Sequence, residues 1–348
     1  MIAIAMATIP LTLLAALILS FAVSYISIPI FNKFMKAAGI VGRDIMKRDS
    51  GPIPDMGGPG VVTGFVLGVF LYLGLEVFAF RNSADLVNIL ASLNTILIIT
   101  LIGVFDVLTA LMKQREGQGI FEKLKRRGIP QWVYFLIPLP AAVPLMAVNA
   151  GVTYMVLPFL GKVQLGAIYP LILVPLAVLC CSNATNFLAG FNGLEAGMGL
   201  VLHTSLGVFA LMNNKLPAAS LALAFAAALA SFLRFNWYPA KVFPGDLNFT
   251  IGAVCACVTV LGNMEKFAIL CFLPWIIEAV LKAMSGFRSE NYGVLQRDET
   301  VKPRESEIRS LTHLVMRSGN FTEKQVSMIL IALEVLICAI AFLVIRYI

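Results

Sequence analysis

The stretch 182–197 reads Ser-Asn-Ala-Thr-Asn-Phe-Leu-Ala-Gly-Phe-Asn-Gly-Leu-Glu-Ala-Gly and joins two long apolar runs. It holds Asn183, Asn186, Asn192, Glu195 and three glycines, with no Lys or Arg. Carboxamides and a carboxylate at the rim of an apolar span are costly unless they serve a function, and the glycines let the backbone bend and let a ligand approach closely. A structural alternative makes Asn192-Gly193 a turn and Asn186 a helix cap. A second polar island of matching character weighs against it: Phe235-Asn236-Trp237-Tyr238-Pro239-Ala240-Lys241-Val242-Phe243-Pro244-Gly245-Asp246. A buried Asp246 without a metal ion or a partner would be expensive. Its bland reading is a helix cap after Pro244-Gly245.

Two patterns carry a resemblance: Asn-x-x-Asn-x-x-x-Gly-x-Asn-Gly-Leu-Glu-Ala-Gly from Asn183, and Asn-Trp-Tyr-Pro-x-x-Val-Phe-x-Gly-Asp from Asn236. Together they resemble the polyprenyl-phosphate N-acetylhexosamine-1-phosphate transferases, most of all the eukaryotic and archaeal branch that makes dolichyl-diphosphate-GlcNAc. The bacterial cell-wall branch has an Asp-Gly-Leu-Asp-Gly version of the first island, which this chain lacks. The resemblance is sharp over 180–262, and weaker but in register over 40–112 and the last helix.

The resemblance implies transfer of a sugar-1-phosphate from UDP-GlcNAc to a polyprenyl or dolichyl phosphate with release of UMP. Another UDP-N-acetylhexosamine or a cell-wall precursor is the alternative donor. Such chemistry needs a cation to neutralise the diphosphate. Mg²⁺ prefers oxygen ligands and keeps waters, so one or two protein oxygens suffice; Mn²⁺ is admissible. The family's metal positions match Asn186 and Asp246, and its uridine-gripping positions match Gly190 and Asn192. Phe243 matches an aromatic near the uracil. Asp55, in Ile53-Pro54-Asp55, matches an acid bordering the nucleotide, and an acid facing a helix dipole is the equal alternative. Glu195 orients Asn192 or Asn186, or caps the following helix. The family ends its third helix in adjacent acids, where this chain has only Asp106, in Gly103-Val104-Phe105-Asp106-Val107-Leu108. It also lacks the family's Lys at the start of the fourth helix. A lipid phosphate is mostly dianionic at neutral pH, and positioning with charge neutralisation dominates phosphoryl transfer, so one acid can be enough. An inactive paralogue and a membrane transporter are the remaining readings. A transporter would place its polar residues near mid-bilayer on broken helices.

The elements that must position these residues are membrane spans. The chain has 348 residues, of which 59% are hydrophobic and 13% charged, with mean hydropathy +0.89. A soluble domain has roughly a quarter charged residues. We expect one all-α, polytopic membrane domain over 1–348 with about ten helices, near 8–30, 58–80, 88–112, 131–148, 164–185, 193–212, 216–234, 247–262, 266–284 and 325–347. Loops near 31–57, 113–130, 186–193, 235–246 and 285–324 then share one face and, with Arg234 and Lys282 at the helix ends beside them, carry all the Lys and Arg except Arg81, Lys162, Lys215, Lys266 and Arg346. By the positive-inside rule that face is cytoplasmic, and both termini lie on the other side. This distribution, rather than nucleic-acid binding, accounts for the net charge of +7. The lipid bilayer is the surrounding partner, and a homodimer is compatible with the sequence. The six Cys lie in apolar runs without metal-ligand spacing, and the two His are too few for a His-based metal site. The long loop 285–324 is expected to fold over the site, with Lys302, Arg304 and His313 as candidates for reading the sugar. No Walker or Gly-x-Gly-x-x-Gly motif occurs.

Overall fold

The computed structural model describes residues 9–48, 50–116, 135–152, 154–157, 161–245 and 247–345. Helix α1 (Leu11–Ala38) ends at Gly39, whose φ of 65° lets its N–H turn back to the Lys36 carbonyl. A two-residue ladder, β1 (Val41–Gly42) with β2 (Ile53–Pro54), leads into α2 (Gly58–Gly74), which continues as a π turn over Leu75–Ala79. Gly60, Gly64 and Gly68 put a smooth stripe of α2 against α1, where added Cβ atoms would strike Ile28, Ser24 and Ser20. Small residues permit such close approach where lipid is as apolar as the helices themselves. The Ser27 hydroxyl then donates to the Gly60 carbonyl at 2.8 Å.

Helix α3 (Leu86–Glu116) is bolted to α8 (Leu247–Gly262) by the Thr100 and Thr250 hydroxyls, 2.9 Å apart. The expected fourth helix, near 131–148, begins outside the described residues. Its described part is a broken run ending in the short α4 (Val143–Ala147), because Pro138, Pro140 and Pro144 cannot donate backbone hydrogen bonds. A hairpin that periodicity did not suggest, β3 (Tyr154–Leu157) with β4 (Gly161–Gln164), follows it.

Six helices build the core around the islands. They are α5 (Val174–Phe187), entered by a π turn at Tyr169–Leu173, α6 (Leu194–Met212), α7 (Leu216–Asn236), α8, and a bent pair. Gly252 of α8 lies against the α5 backbone, where a Cβ would sit 2.6 Å from Ser182 Cα. The bent pair, α9 (Glu265–Cys271) and α10 (Leu273–Met284), turns by 64°. A ladder of β5 (Gly293–Leu295) and β6 (Val301–Pro303), then α11 (Leu311–Ser318), precede the last helix, α12 (Glu323–Val344). A capping box between Thr322 and Gln325 starts α12.

Among the described residues seven helices are long and apolar enough to cross a membrane, or eight if the bent pair is one span. The short α8 and the segment near 131–148 separate this count from about ten. The described residues are mostly helical, and the sheets among them are two-stranded.

Candidate active site

Loops from four places in the chain meet at one end of the bundle and enclose a cavity of ≈ 350 Å³. Of the residues the sequence singled out, Asp55, Gly190, Asn192, Glu195 and Phe243 line it. Asn186 does not; it is half-buried on the last turn of α5. Asp106 is exposed on α3 and likewise absent from the cavity wall. Asp246 lies outside the described residues, although its neighbours Gly245 and Asn248 both line the cavity.

The two islands are joined by one side chain. Asn236, fully buried at the end of α7, accepts the Gly193 N–H at 3.1 Å and donates to the Val242 carbonyl at 2.9 Å. Gly193 has φ 77°, and a Cβ there would lie 2.6 Å from the Trp237 ring, so only glycine fits this junction. The loop after α1 is tied to the second island by backbone bonds. Phe243 N–H donates to Pro54 O at 2.8 Å, and Gly57 N–H donates to Phe243 O at 2.9 Å. These bonds hold the Phe243 ring beside Gly42 and Asp55, against which a Gly42 Cβ would sit at 3.3 Å.

Glu195, in the first turn of α6, is joined to neither Asn186 nor Asn192 by a side-chain hydrogen bond among the described residues. Its Oε1 accepts the Gly190 N–H at 2.6 Å, fixing a turn in which Gly190 has φ 112°. Among the described residues its other oxygen, Oε2, and the side-chain oxygen of Asn248 are buried without a hydrogen-bond partner, and both residues line the cavity. Buried oxygens of this kind, in residues that line a cavity, are suited to a ligand's donors or a hard cation.

The loop between α10 and α12 covers the site. Asn291 donates to the carbonyls of Phe187, at 2.5 Å, and Ala189, at 2.9 Å, and Tyr292 forms a wall over Gly190. Burial, then the negative charges of Glu195, Asp55, Glu290 and Asp44, push the Tyr292 hydroxyl up to about 12. Burial likewise raises Asp55 above the ordinary carboxylate range. The three sugar-reading candidates are not in the cavity wall. Lys302 donates to the Gly319 carbonyl at 2.8 Å, Arg304 pairs with exposed Glu290 at 3.2 Å, and buried His313 bonds the Glu290 carbonyl at 2.7 Å. They are held in the fold of the loop itself.

Sequence reasoning missed Asp44, Asn236, Asn248, Tyr292 and Glu323 as site-building residues. Asp44 lay in the visible Gly42-Arg43-Asp44 run and Asn236 in the second island. Glu323 carried no signal of its own in the sequence.

Beside the cavity, a second space of ≈ 510 Å³ with nearly all-apolar walls runs between α5, α8 and the bent pair. Cys181, Ala256, Phe272 and Ala279 form its sides, and Phe187 and Phe287, with ring centres 5.4 Å apart, mark its end near the site. Phe187 is followed within two residues by Ala189, which lines the polar cavity. Leu188 stands between them, and Asn186, on the last turn of α5, lies one residue before Phe187 and lines neither space.

A bundle of apolar spans that closes a polar, oxygen-rich cavity at one end, with an apolar groove alongside, is the build of a membrane-embedded enzyme joining a water-soluble substrate to a lipid one. The sequence profile of Glycosyl transferase family 4 matches residues 89–263, half of the chain, and the protein belongs to this family. A Sulfolobus acidocaldarius relative, 33% identical over 335 residues and 95% of each chain, bears the provisional name UDP-N-acetylglucosamine–dolichyl-phosphate N-acetylglucosaminephosphotransferase. A Dictyostelium discoideum protein with the same name, unqualified, is 27% identical over 92% of this chain and 85% of its own. A phospho-N-acetylmuramoyl-pentapeptide-transferase of Shouchella clausii is 29% identical over 77% of this chain and 81% of its own.

Proposed function

We propose that the protein transfers GlcNAc-1-phosphate from UDP-GlcNAc to a polyprenyl phosphate of the dolichyl type, at the cytoplasmic face of its membrane. A phosphate oxygen of the lipid forms a bond to the β-phosphorus of the nucleotide sugar, the β-phosphorus–oxygen bond to UMP breaks, and UMP leaves. The observation that carries this reading is the meeting of both polar islands in one cavity that abuts the end of an apolar groove. The cavity accommodates the nucleotide sugar, with Gly190, Asn192, Asp55 and Phe243 around the uridine. The groove accepts the first isoprenes and delivers the lipid phosphate to the turn at Asn186.

Among the described residues no three His, Cys, Asp or Glu converge on a metal site. The donors present at the cavity are nevertheless hard oxygens, including the unsatisfied carboxamide oxygen of Asn248, and this set fits Mg²⁺ better than a soft metal. Asn186 and Asp246 would hold the ion, whose charge neutralises the diphosphate when bound. The protein's own residues bind the base, exclude water under the Asn291–Tyr292 loop, and align the lipid phosphate. Asp106 acts on the lipid phosphate from the end of α3.

A cell-wall donor is the second reading, supported by the relatedness to phospho-N-acetylmuramoyl-pentapeptide-transferases. The Asn-Gly-Leu-Glu form of the first island favours UDP-GlcNAc. Purified protein given radiolabelled UDP-sugars and dolichyl phosphate separates them: lipid-linked GlcNAc plus UMP is expected. Turnover of only another donor would replace the reading, and no transfer from any donor would end it.

A further inference from the structure

Asn192 is held on three sides by residues outside the matched family segment 89–263. Its side-chain nitrogen donates to Asp44 Oδ2 at 2.9 Å. Its backbone N–H donates to Glu323 Oε1 at 3.0 Å, and its carbonyl accepts the Ser327 hydroxyl at 3.0 Å. Asp44, Asn192 and Glu323 are all buried. Lys47 supplies the compensating charge: its ammonium pairs with Asp44, stands 3.9 Å from Glu323 Oε2, and lies over the Tyr238 ring.

The chemistry of this clamp fixes which way the Asn192 amide points. A carboxylate paired with a lysine only accepts hydrogen bonds, so the NH₂ of Asn192 must face Asp44 and its oxygen must face away. Asn192 lines the cavity, and its Oδ1 is the amide atom turned away from Asp44. The oxygen is therefore presented to the ligand as an acceptor. An acceptor here favours a pyrimidine whose edge offers a ring N–H, as uracil does, over one whose ring nitrogen is itself an acceptor, as in cytosine.

We infer that Asp44 and Glu323 are positioning residues that make Asn192 a fixed acceptor, and that Asp44 thereby sets selectivity for an imide-bearing base. The inference rests on the reading of Asn192 as a nucleotide contact. Glu323 acts on the backbone, so it governs affinity. Asp44 acts on the amide, so it governs discrimination.

The test compares UMP and CMP binding by calorimetry on the purified protein and on Asp44→Asn, Glu323→Ala and Glu323→Gln. The UMP-to-CMP ratio measured on one preparation is independent of how much of it is folded. Wild type is expected to prefer UMP by roughly 100-fold or more, since a site built around a hydrogen bond rejects the mismatched partner strongly. Asp44→Asn lets the Asn192 amide turn over, because asparagine both donates and accepts, and should shrink the ratio by about tenfold or more. Glu323→Ala should weaken both nucleotides together with the ratio kept, and Glu323→Gln, which retains an acceptor, should restore affinity. An unchanged ratio in Asp44→Asn overturns the role of Asp44, and undiminished affinity in Glu323→Ala overturns that of Glu323. Wild-type protein that binds neither nucleotide overturns the proposed function itself, a distinct failure.

Discussion

Glu195 builds the turn that carries Gly190 into the cavity wall. Its Oε1 satisfies the Gly190 N–H, and removing that acceptor from a buried site leaves a donor without a partner, at about 1–3 kcal/mol. Glu195→Ala is expected to lower the melting temperature and weaken UMP binding together, whereas Glu195→Gln keeps most of both. Parallel melting and calorimetry on the two variants decide it. Asp55 offers a pH signature. Burial raises its pKa in the folded state, so between the ordinary carboxylate range near pH ~4 and the raised value the folded protein binds more protons than the unfolded one. The stability held by neutral Asp55 is therefore fully present below that window and lost as pH rises through it. Melting temperatures of wild type and Asp55→Asn should diverge with rising pH, the variant becoming relatively more stable, and parallel curves would remove the effect. For Asp246, alanine should abolish transfer and flatten the Mg²⁺ titration while leaving melting intact, because a metal contributes several kcal/mol of charge stabilisation.

At the scale of elements, the glycine stripe of α2 and the bend between α9 and α10 set the two faces of the site. Gly64 admits no side chain, since a Cβ would lie 2.5 Å from the Ser24 nitrogen. Gly64→Leu must push α1 away and should cost at least ~2 kcal/mol, read as a lowered melting temperature in detergent. The displacement should spread to the loop after α1, which carries Asp44 and Asp55. The bend does different work: it opens the apolar groove along α10. Ala279→Phe fills that groove and is expected to raise KM for the lipid acceptor several-fold while UMP affinity stays unchanged. Equal loss of both would mean that the groove is not the acceptor's path.

For the whole molecule, the expected topology puts both termini on the non-cytoplasmic side, because nearly all Lys and Arg fall in the loops that also carry the polar islands. Single cysteines placed at either end of a Cys-free variant should react with an impermeant reagent from outside. Labelling only from the cytoplasm would invert the arrangement. The structure brings the loops after α1, α5, α7 and α10 to one end of the bundle, which is the arrangement that alternating spans require if those loops share a face.

Membrane spans are legible in sequence because the bilayer imposes its constraint locally: each must be apolar for about 20 residues and satisfy its backbone internally. That is why α2 with its π turn, α3, α6, α7 and α12 fall within a few residues of the expected runs, whereas α1 runs eight residues past its expected end at 30 and α5 begins ten residues after its expected start at 164. Family, reaction and the two islands were legible for a related reason, since their chemistry is concentrated in short contiguous stretches. The prolines at 138, 140 and 144 were equally visible, yet hydropathy outweighed them and suggested a continuous helix. What only the tertiary structure decided is how the site is held. Asp44 and Glu323 lie 148 and 131 residues from Asn192, and nothing in the periodicity of a helix or the charge of a loop states which distant side chain will meet which. Those meetings depend on how close α1 and α2 approach, on the bend of α9 and α10, and on where α12 begins. These are properties of packed surfaces rather than of any one segment, and they decide which way an amide faces.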